Sequence, residues 1–405
     1  MTYTRNNLQQ LLSERIGDRV SVLCSGGAAD GTTVTSTALL RQPGARWSGM
    51  YAEITEADGA APEGEVRLVN TATIASGTIT LTPYNAFSAA IQNGDTIDLH
   101  RFDPVWKQEA INEALRELAA YLPITVTEDI ITGECLRNGH MGFWRDSSTP
   151  YDWTRAAGTV ARQSGYRGEY SLGLTGVANA GSVYQYVKLG KELAGVAITF
   201  TCWANGTGNA GIYLRLEDPD GNTDSTALVA NNTWTQLTVT RTPAVAQGAP
   251  DQITARIFNT SGVLCNFDEA RLLVPSTANS LVNWIPLSEY YMKLHQVQLG
   301  YQQSITTKTV VGEFQNHTMP ERYERGYAWW KWEDRINVPY WLRLIGTGRY
   351  PNLTGGTDTI EVNQEEERLV VALALMKLLD KAEGYEHPIG KDWIDRKRKD
   401  VAIEL

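Results

Sequence analysis

The sequence is poor in several features that would place it in a specialised class. A chain of 405 residues with four cysteines, no CxxC pair and no histidine at ligand spacing is not a disulfide-stapled domain. We therefore expect free, reduced and mostly buried thiols at Cys24, Cys135, Cys202 and Cys265. No uncharged apolar run approaches the 18 residues of a membrane helix, and the longest, Leu369–Met376, lies inside a charged segment. No membrane span is predicted.

Positive charge is also scarce. The chain has 36 Lys and Arg against 46 Asp and Glu, for a formal net charge of −10. This balance excludes a protein that coats nucleic acid, but it does not exclude one that DNA passes. The polar N-terminus, Met1 to Gln10, has no apolar segment followed by a small-residue cleavage site, so we predict no secretory signal and synthesis in a cytoplasm.

Catalytic motifs are missing. The sequence has no Gly-x-Ser-x-Gly, His-Glu-x-x-His or P-loop, and its five histidines are isolated from each other and from the cysteines. Neighbouring carboxylates such as Asp268 and Glu269 do not by themselves make a glycosidase, which needs two carboxylates across a cleft. We predict no enzyme, no cofactor and no metal site by spacing, and an autonomous hydrolase is a minor third hypothesis.

Apolar residues, glycine and amphipathic aromatics are abundant. Apolar residues make up 42% of the chain, which suffices for packed cores, and 36 Gly, 18 Tyr and 12 Trp are typical of turn-rich β structure. A chain of this length predicts two or three domains at roughly 100–200 residues each.

The first 133 residues predict a mixed segment. Thr4 can cap a helix that ends at Gly17, and residues 20–101 alternate like the strands of a small barrel or sandwich. Asp103 is a good N-cap and Pro104 suits the first helical position. Apolar residues then recur at helical spacing as far as Leu122, which predicts an amphipathic helix.

Residues 134–274 predict an antiparallel β-sandwich, because short strands are separated by turn residues. Asp218-Pro-Asp-Gly-Asn222 is a hairpin turn in which proline presets φ and glycine supplies a positive φ. The predicted strands are Ser182–Val187, Ala197–Trp203, Gly211–Glu217, Thr233–Arg241, Gln252–Phe258 and Cys265–Leu273.

After Pro275 the mixed pattern returns. Leu287–Val297 shows helical spacing, and Thr306–Val311 and Ala328–Trp332 look like strands. Asn363 with Glu366 forms a capping box for a helix that stops at Gly384, and Trp393–Val401 predicts a short last helix. The fold class is thus α+β and multidomain. Residues 1–133 and 275–405 form a discontinuous mixed domain, and residues 134–274 form an inserted antiparallel jelly roll.

The middle block resembles the family-4/9-type carbohydrate-binding modules, which are β-jelly rolls. The resemblance lies in the order of several short segments, which covers about a third of the chain. They are Asn138-Gly139 before Phe143-Trp144, Gln163–Leu172, Val183–Val187, Ile198–Trp203, Asn232–Leu237 and Phe267–Leu272. The resemblance implies aromatic rings that stack on sugars and a late aspartate, here Asp268, that helps to hold a structural calcium. His140-Met141 replaces the acidic residue that the family has after the first Asn-Gly.

Stacking on sugar requires an exposed aromatic face with polar neighbours. The candidates are Trp144, Tyr151, Trp153, Tyr184, Tyr186 and Tyr213. Core positions are the alternative for all of them, and the two alternatives are equally favoured for Tyr151 and Trp153. Core positions are favoured for Trp203 and Trp234. Jelly rolls also serve as purely structural decorations, so the fold alone does not establish sugar binding.

The outer segments resemble bacteriophage head-to-tail adaptor (connector) proteins of the neck. The resemblance lies in Pro104–Leu118, Pro339–Leu353, and Asp358–Asn363 with the capped helix that follows. It implies a ring of identical subunits, with the twelvefold symmetry of the portal, stacked between the portal and the tail-terminator or nozzle proteins of the virion. Double-stranded DNA would pass the lumen without sequence-specific binding, which suits a negatively charged protein. The jelly roll would be displayed outward.

Two further clusters have open interpretations. The basic run Arg396, Lys397, Arg398 and Lys399 could dock on the portal, as terminal tails do in the resembling family, although a solvated basic helix end is slightly favoured. Trp329, Trp330 and Trp332, with Trp341, could stack on a ligand, but packing is favoured.

The leading hypothesis is a structural neck protein. The alternative is a carbohydrate-binding protein, an accessory module of a glycan-active enzyme, or another tail or decoration protein. Weak binding of host surface glycans is compatible with either.

Overall fold

The structure is a computed structural model, and the chain divides into two compact units: residues 1–122 with 352–405, and residues 123–351. The division follows internal contacts, and it differs from the sequence-based boundaries at 133/134 and 274/275. The described residues are 1–41, 47–58, 62–73, 78–81, 86–177, 181–188, 193–207, 211–229, 232–243, 252–275, 278, 284–304, 309–317, 322–324, 327–329, 340–356, 358–384 and 391–402.

The first unit contains a closed six-stranded barrel, in the order β2-β3-β6-β5-β4-β7. Alternate residues such as Val22 and Cys24 point into its apolar core. Of the two predicted alternatives, a small barrel or a sandwich, the structure has the barrel. A short 3-10 helix spans Thr37–Arg41. The barrel strands are β2 (Arg19–Gly27), β3 (Thr33–Thr35), β4 (Tyr51–Glu56), β5 (Val66–Thr73), β6 (Thr78–Leu81) and β7 (Asn93–His100).

The described part of this unit also contains four helices: α1 (Arg5–Ile16), α2 (Pro104–Tyr121), α3 (Gln364–Gly384) and α4 (Lys391–Ala402). The capping geometry confirms the predicted starts of the first three. Thr4 accepts a hydrogen bond from the Asn7 backbone N–H, and Asp103 accepts one from Val105. Asn363 accepts from the N–H of Glu366, whose carboxylate accepts from the N–H of Asn363 at 2.8 Å, which is a capping box.

The two ends of the chain meet within the first unit. Strand β1 (Thr2–Thr4) pairs antiparallel with β27 (Thr359–Glu361), so residues more than 350 positions apart share one ladder. The Arg5 guanidinium also donates to the carbonyl of Thr354 at 2.8 Å. The first and last segments therefore fold together, with the second unit inserted between them in sequence.

The second unit contains a sandwich of two five-stranded antiparallel sheets, in the orders β11-β14-β19-β16-β17 and β12-β13-β20-β15-β18. Their inner faces form one large apolar core. The predicted sandwich is confirmed, and the ends of all six predicted strands agree with the observed ones within three residues. The strands are β11 (Thr154–Ala157), β12 (Thr159–Ser164), β13 (Tyr170–Thr175), β14 (Ser182–Lys188), β15 (Ile198–Gly206), β16 (Ile212–Asp218), β17 (Gly221–Asp224), β18 (Thr235–Arg241), β19 (Gln252–Asn259) and β20 (Leu264–Leu273).

The described part of the second unit contains three further sheets: β23-β22-β26-β8, β21-β25-β24 and the pair β9-β10. Their strands are β8 (Ile124–Ile131), β9 (Trp144–Asp146), β10 (Thr149–Pro150), β21 (Trp284–Pro286), β22 (Tyr291–Ser304), β23 (Thr309–His317), β24 (Arg322–Glu324), β25 (Tyr327–Trp329) and β26 (Tyr340–Gly348).

The helix predicted over Leu287–Val297 is wrong, because this segment enters the long strand β22. Residues 309–311 of the predicted strand 306–311 belong to β23, and its residues 306–308 lie outside the described part. The predicted strand 328–332 corresponds to β25, with residues 330–332 outside the described part.

The cysteines and the helices bear on two predictions made from composition. The four cysteines are free and buried, as predicted. In the described part of the chain, no helix combines the length and apolar character that a membrane crossing needs.

Candidate functional site

The outer face of the sheet β11-β14-β19-β16-β17 carries four aromatic rings. In β14, Val183 and Val187 point into the core, so the alternating Tyr184 and Tyr186 point outward. Register places Tyr213 of β16 opposite Phe258 of β19. We call Tyr184, Tyr186, Tyr213 and Phe258, together with Arg215 and Arg256, the aromatic–arginine face.

Rings and guanidinium groups alternate across this face. The Arg256 guanidinium lies 4.7 Å from the Tyr184 ring centroid and 5.6 Å from that of Phe258. The Arg215 guanidinium lies 4.8 Å from Phe258 and 5.6 Å from Tyr213. These distances lie within the range of favourable cation–π contacts, so each arginine holds a pair of rings in place.

Carboxylates neutralise both arginines. Arg215 binds Asp224 through two hydrogen bonds of 2.5 and 2.8 Å, and the hydrogen bond to this carboxylate raises the pKa of Arg215. Arg256 donates to Glu217 at 3.1 Å. The face therefore combines fixed rings with polar groups whose charges are balanced locally.

The rings are accessible to different extents. Tyr186 is 52% exposed, whereas Tyr184, Tyr213 and Phe258 are half-buried. The Tyr184 and Tyr186 rings meet edge to face at 4.9 Å, and the hydrogen bond between their side chains raises the pKa of Tyr184. Since neighbouring strands lie about 4.8 Å apart, rings on β14, β19 and β16 cover about 10 Å across the sheet.

Trp144 and Trp153, which were predicted to stack on sugar, are in the core. They are 3% and 5% exposed, and both belong to the apolar cluster between the sheets. Both indole N–H groups also make internal hydrogen bonds. Trp144 donates to the carbonyl of Met141, and Trp153 donates to the carbonyl of Asn138. A ring without an accessible face cannot stack on a ligand, so these two assignments are wrong.

Tyr151 is likewise buried, at 8% exposure. It packs in a second apolar cluster beside the sheet β23-β22-β26-β8, with its ring 5.3 Å from that of Tyr290. Asn138 fixes this region, because its side-chain amide donates to the carbonyls of Phe143 and Tyr151, both at 2.9 Å. The Asn-Gly turn thus has a structural role, and Tyr151 is corrected to a packing residue.

Trp203 and Trp234, for which core positions were favoured, are instead half-buried on the outer face of the opposite sheet. The ring of Tyr166 lies 4.7 Å from Trp203 and 5.1 Å from Trp234, and the Arg167 guanidinium lies 5.7 Å from Trp203. We call Tyr166, Trp203 and Trp234 the tryptophan cluster. Within β15, Trp203 alternates with the buried residues Cys202 and Ala204 and shares the outer face with Thr201.

Asp268, the predicted calcium ligand, is fully buried under the loop that carries Tyr166. One carboxylate oxygen accepts from the backbone N–H groups of Tyr166 and Arg167, at 2.7 and 3.2 Å, and the other accepts from Glu269 at 2.7 Å. Burial raises the pKa of Asp268, while these three hydrogen bonds act in the opposite direction. Backbone donors therefore already satisfy both oxygens.

The neighbouring carboxylates also fit a calcium ion poorly. The Arg271 guanidinium pairs with Glu269 at 2.5 Å. Its positive charge also acts on Glu134, where it opposes the burial that raises the pKa of this carboxyl group. Ca²⁺ needs six to eight oxygen ligands, and the described residues contain no group of three or more His, Cys, Asp or Glu able to hold a metal ion. The calcium ion therefore stays a prediction.

The predicted portal-docking residues are divided between internal contacts and solvent. Arg398 pairs with Glu383 and Asp380 of α3, both at 2.6 Å, and Lys397 donates to the carbonyl of Arg15 at 3.4 Å. Arg396 and Lys399 are exposed. Two members of the run thus fasten α4 within its own unit.

The tryptophan-rich segment is only partly described. Trp341 is 1% exposed, with the Arg271 guanidinium 5.0 Å from its ring, so packing is confirmed there. Trp329 pairs with Trp284 and Arg322 in the backbone ladders of β25, and Trp330 and Trp332 lie outside the described residues.

Phe258, Arg215 and Arg256 were not identified from the sequence. Their strands were predicted correctly, and strand alternation places Arg215 on the same side as Tyr213. The missing information was the register between β16 and β19, which brings residues more than 40 positions apart into contact.

Comparisons with known proteins concern part of the chain. No protein-family model and no curated protein matches it. Among solved structures, the enzymatically active domain of bacteriophage CBA120 tailspike protein 4 matches 35% of this chain and 21% of its own, with 15% identity and a TM-score of 0.28. This chain thus spans about a fifth of that domain.

Two carbohydrate-binding modules are also similar. The C-terminal family 22 module of Clostridium thermocellum Xyn10B matches 30% of this chain and 85% of its own, with 20% identity and a TM-score of 0.25. TmCBM61, solved in complex with β-1,4-galactotriose, matches 35% of this chain and 98% of its own, with 20% identity and a TM-score of 0.25.

Proposed function

We propose that the jelly roll of this protein binds carbohydrate on the aromatic–arginine face. The observation that supports the proposal is the alternating arrangement of four aromatic rings and two arginines across three neighbouring strands. Rings held flat and partly exposed, with polar groups between them, offer apolar contact to the faces of a sugar and hydrogen bonds to its hydroxyl groups.

The charges of this face favour a neutral glycan. Asp224 and Glu217 offset the arginines, so no unbalanced charge is available for an acidic sugar or a phosphate. The rings extend about 10 Å across the strands, which suits several linked sugars of an extended glycan rather than a single sugar. The proposal includes no catalytic step.

A glycan-binding assay with the full chain tests this proposal. Neutral oligosaccharides should bind the wild type, and Tyr186→Ala should weaken binding because it removes the most exposed ring. Trp234→Ala is the matched control, since it removes an aromatic ring from the opposite sheet and should leave affinity unchanged. If no glycan binds, or if Trp234→Ala alone abolishes binding, the face is not the site.

We propose as a second candidate that the first unit places the protein in the neck of a tailed-phage virion. The β1–β27 ladder supports this proposal, because it makes one unit from both ends of the chain and leaves the jelly-roll unit as an insertion. The unit would assemble into a ring, of twelvefold symmetry, between portal and tail proteins. Double-stranded DNA would pass through the lumen.

Electron microscopy of the purified protein, alone and mixed with portal, tests the neck role. Rings that stack coaxially on portal are expected. A protein that stays monomeric with portal and is absent from purified virions would contradict this role, while leaving carbohydrate binding intact.

A further inference from the structure

Neither proposed function uses a cavity of about 730 Å³ in the first unit. It lies between α1 and the outer surface of barrel strands β2, β4 and β7, and its volume is in the range of small-molecule sites. Its lining is polar, although much of it belongs to the buried part of the unit.

A buried relay of polar side chains forms the floor. The Lys107 ammonium is fully buried and lies 2.9 Å from both Asp18 Oδ2 and His100 Nδ1. An ammonium group can only donate, so His100 Nδ1 accepts and the imidazole proton belongs on Nε2. Nε2 of His100 lies 3.1 Å from Glu53 Oε2, which accepts a hydrogen bond from Gln9 Nε2 at 2.8 Å. Lys107 is therefore paired with Asp18, whereas the carboxylate of Glu53 contacts Gln9 and His100.

Asp98 also lines this cavity and has one carboxylate oxygen without a donor. Its Oδ2 accepts from Arg19 Nε at 2.5 Å, whereas Oδ1 is buried and has no hydrogen-bond partner among the described residues. The side chain is only 3% exposed. A buried carboxylate oxygen without a donor costs free energy, and a ligand that supplies the donor would recover it.

The charge of the lining is negative. Of the described lining residues, Glu53, Glu56, Glu63 and Asp98 oppose two guanidinium groups, those of Arg5 and Arg19. Arg5 is directed away to the carbonyl of Thr354, and Arg19 is used by Asp98. Four carboxylates and two guanidinium groups give the lining a net charge of −2. Arg19 offsets Asp98 at the floor, where Glu53 remains, and Glu56 and Glu63 both lie at the exposed mouth.

We propose that this cavity binds a linear diamine or polyamine. One ammonium group would donate to Asp98 Oδ1 and Glu53 at the floor, and the second would lie between Glu56 and Glu63 at the mouth. The chain between them would run along α1. A dication matches the excess of two negative charges, and its N–H groups supply the donor that Asp98 lacks.

Titration calorimetry of the full chain with putrescine and spermidine at low salt tests this site. We expect saturable binding with one ligand per chain, weakened several-fold by Glu56→Gln or Glu63→Gln and about tenfold or more by Asp98→Asn. Glu361→Gln is the matched control, because this exposed residue of the same unit lies outside the cavity.

Two results would overturn the proposal. One is the absence of saturable binding by either amine. The other is equal affinity in the wild type, Glu56→Gln and Asp98→Asn, which would reveal diffuse attraction to an acidic protein. Because Asp98→Asn removes a partner of Arg19 and could unfold the unit, the exposed variants Glu56→Gln and Glu63→Gln keep the test decisive.

Discussion

The ring of Phe258 lies almost parallel to the ring of Tyr213, with centroids 4.8 Å apart and planes inclined by 14°. The two residues lie opposite each other on β19 and β16, and Arg215 lies over both rings. A stacked pair held by a guanidinium group gives a flat surface whose orientation is set before a ligand arrives. Preorganisation of this kind lowers the entropy lost on binding.

Tyr213 allows stacking to be separated from hydrogen bonding. Tyr213→Ala should lower glycan affinity about fivefold, since one aromatic contact contributes about 1 kcal/mol. Tyr213→Phe keeps the ring and should retain affinity within about twofold. Calorimetric titration with the best-binding oligosaccharide measures both. Equal losses for the two variants would mean that the hydroxyl group, and not the ring, makes the contact.

Asp268 should stabilise the jelly roll without a metal ion. Asp268→Asn replaces one acceptor oxygen by an NH₂ group that would face backbone N–H donors, so we expect the free energy of unfolding to fall by about 1–3 kcal/mol. Chelation of calcium should leave the melting temperature of the wild type unchanged. Thermal melts with and without EDTA test this. A wild type that loses stability in EDTA would restore the calcium predicted from the sequence.

Glu134 should make stability depend on pH. Burial raises its pKa to about 7, so the folded chain holds a proton that the unfolded chain releases near pH 4.5. The contribution of Glu134 to the free energy of unfolding is therefore fully present below pH 4.5 and is lost as the pH rises to about 7. The loss amounts to roughly 3 kcal/mol at most.

Urea unfolding at pH 5 and pH 8 measures this dependence. Glu134→Gln cannot ionise, yet its amide oxygen can still accept from Cys135 and Leu272. The variant should lose less stability between the two pH values than the wild type does. Identical pH dependence in both proteins would show that Glu134 does not titrate in this window.

The residues of the basic run should have two different roles, stabilising the fold and docking on the portal. Arg398→Ala breaks the pairs with Asp380 and Glu383, which are partly exposed, so it should lower stability by no more than about 1 kcal/mol. The double substitution Arg396→Ala with Lys399→Ala should leave the melting temperature unchanged but weaken binding to portal. Co-sedimentation with portal measures the second effect, and undiminished binding by the double variant would exclude docking through this run.

Local patterns determined much of the fold. Thr4, Asp103 and the Asn363–Glu366 pair fixed three helix starts because a cap depends on residues within one turn. Alternation and turn residues predicted the sandwich for the same reason, but they left a barrel or a sandwich open for residues 20–101. Tyr184 and Tyr186 were visible as site residues, because the period of a strand places them on one face together.

The segment after Pro286 shows where local pattern fails. Tyr291, Leu294 and Val297 are all buried at spacings of three, which imitates a helix. The segment is nevertheless a strand, because its register with β26 shifts between Tyr291 and Lys293 and again between Leu294 and Gln296. Each bulge adds one residue to the alternation, so only the pairing with a distant strand reveals the true period.

The candidate site required tertiary structure for the same reason. The sequence predicted Tyr184, Tyr186 and Tyr213 but also proposed Trp144, Tyr151 and Trp153. The reason is that a buried and an exposed aromatic residue look alike in a strand or loop. Phe258, Arg215 and Arg256 join the face only through the register of β14, β19 and β16. Residue type and period thus determined which side chains share a strand face. Long-range pairing decided which strands meet and which of their faces the core covers.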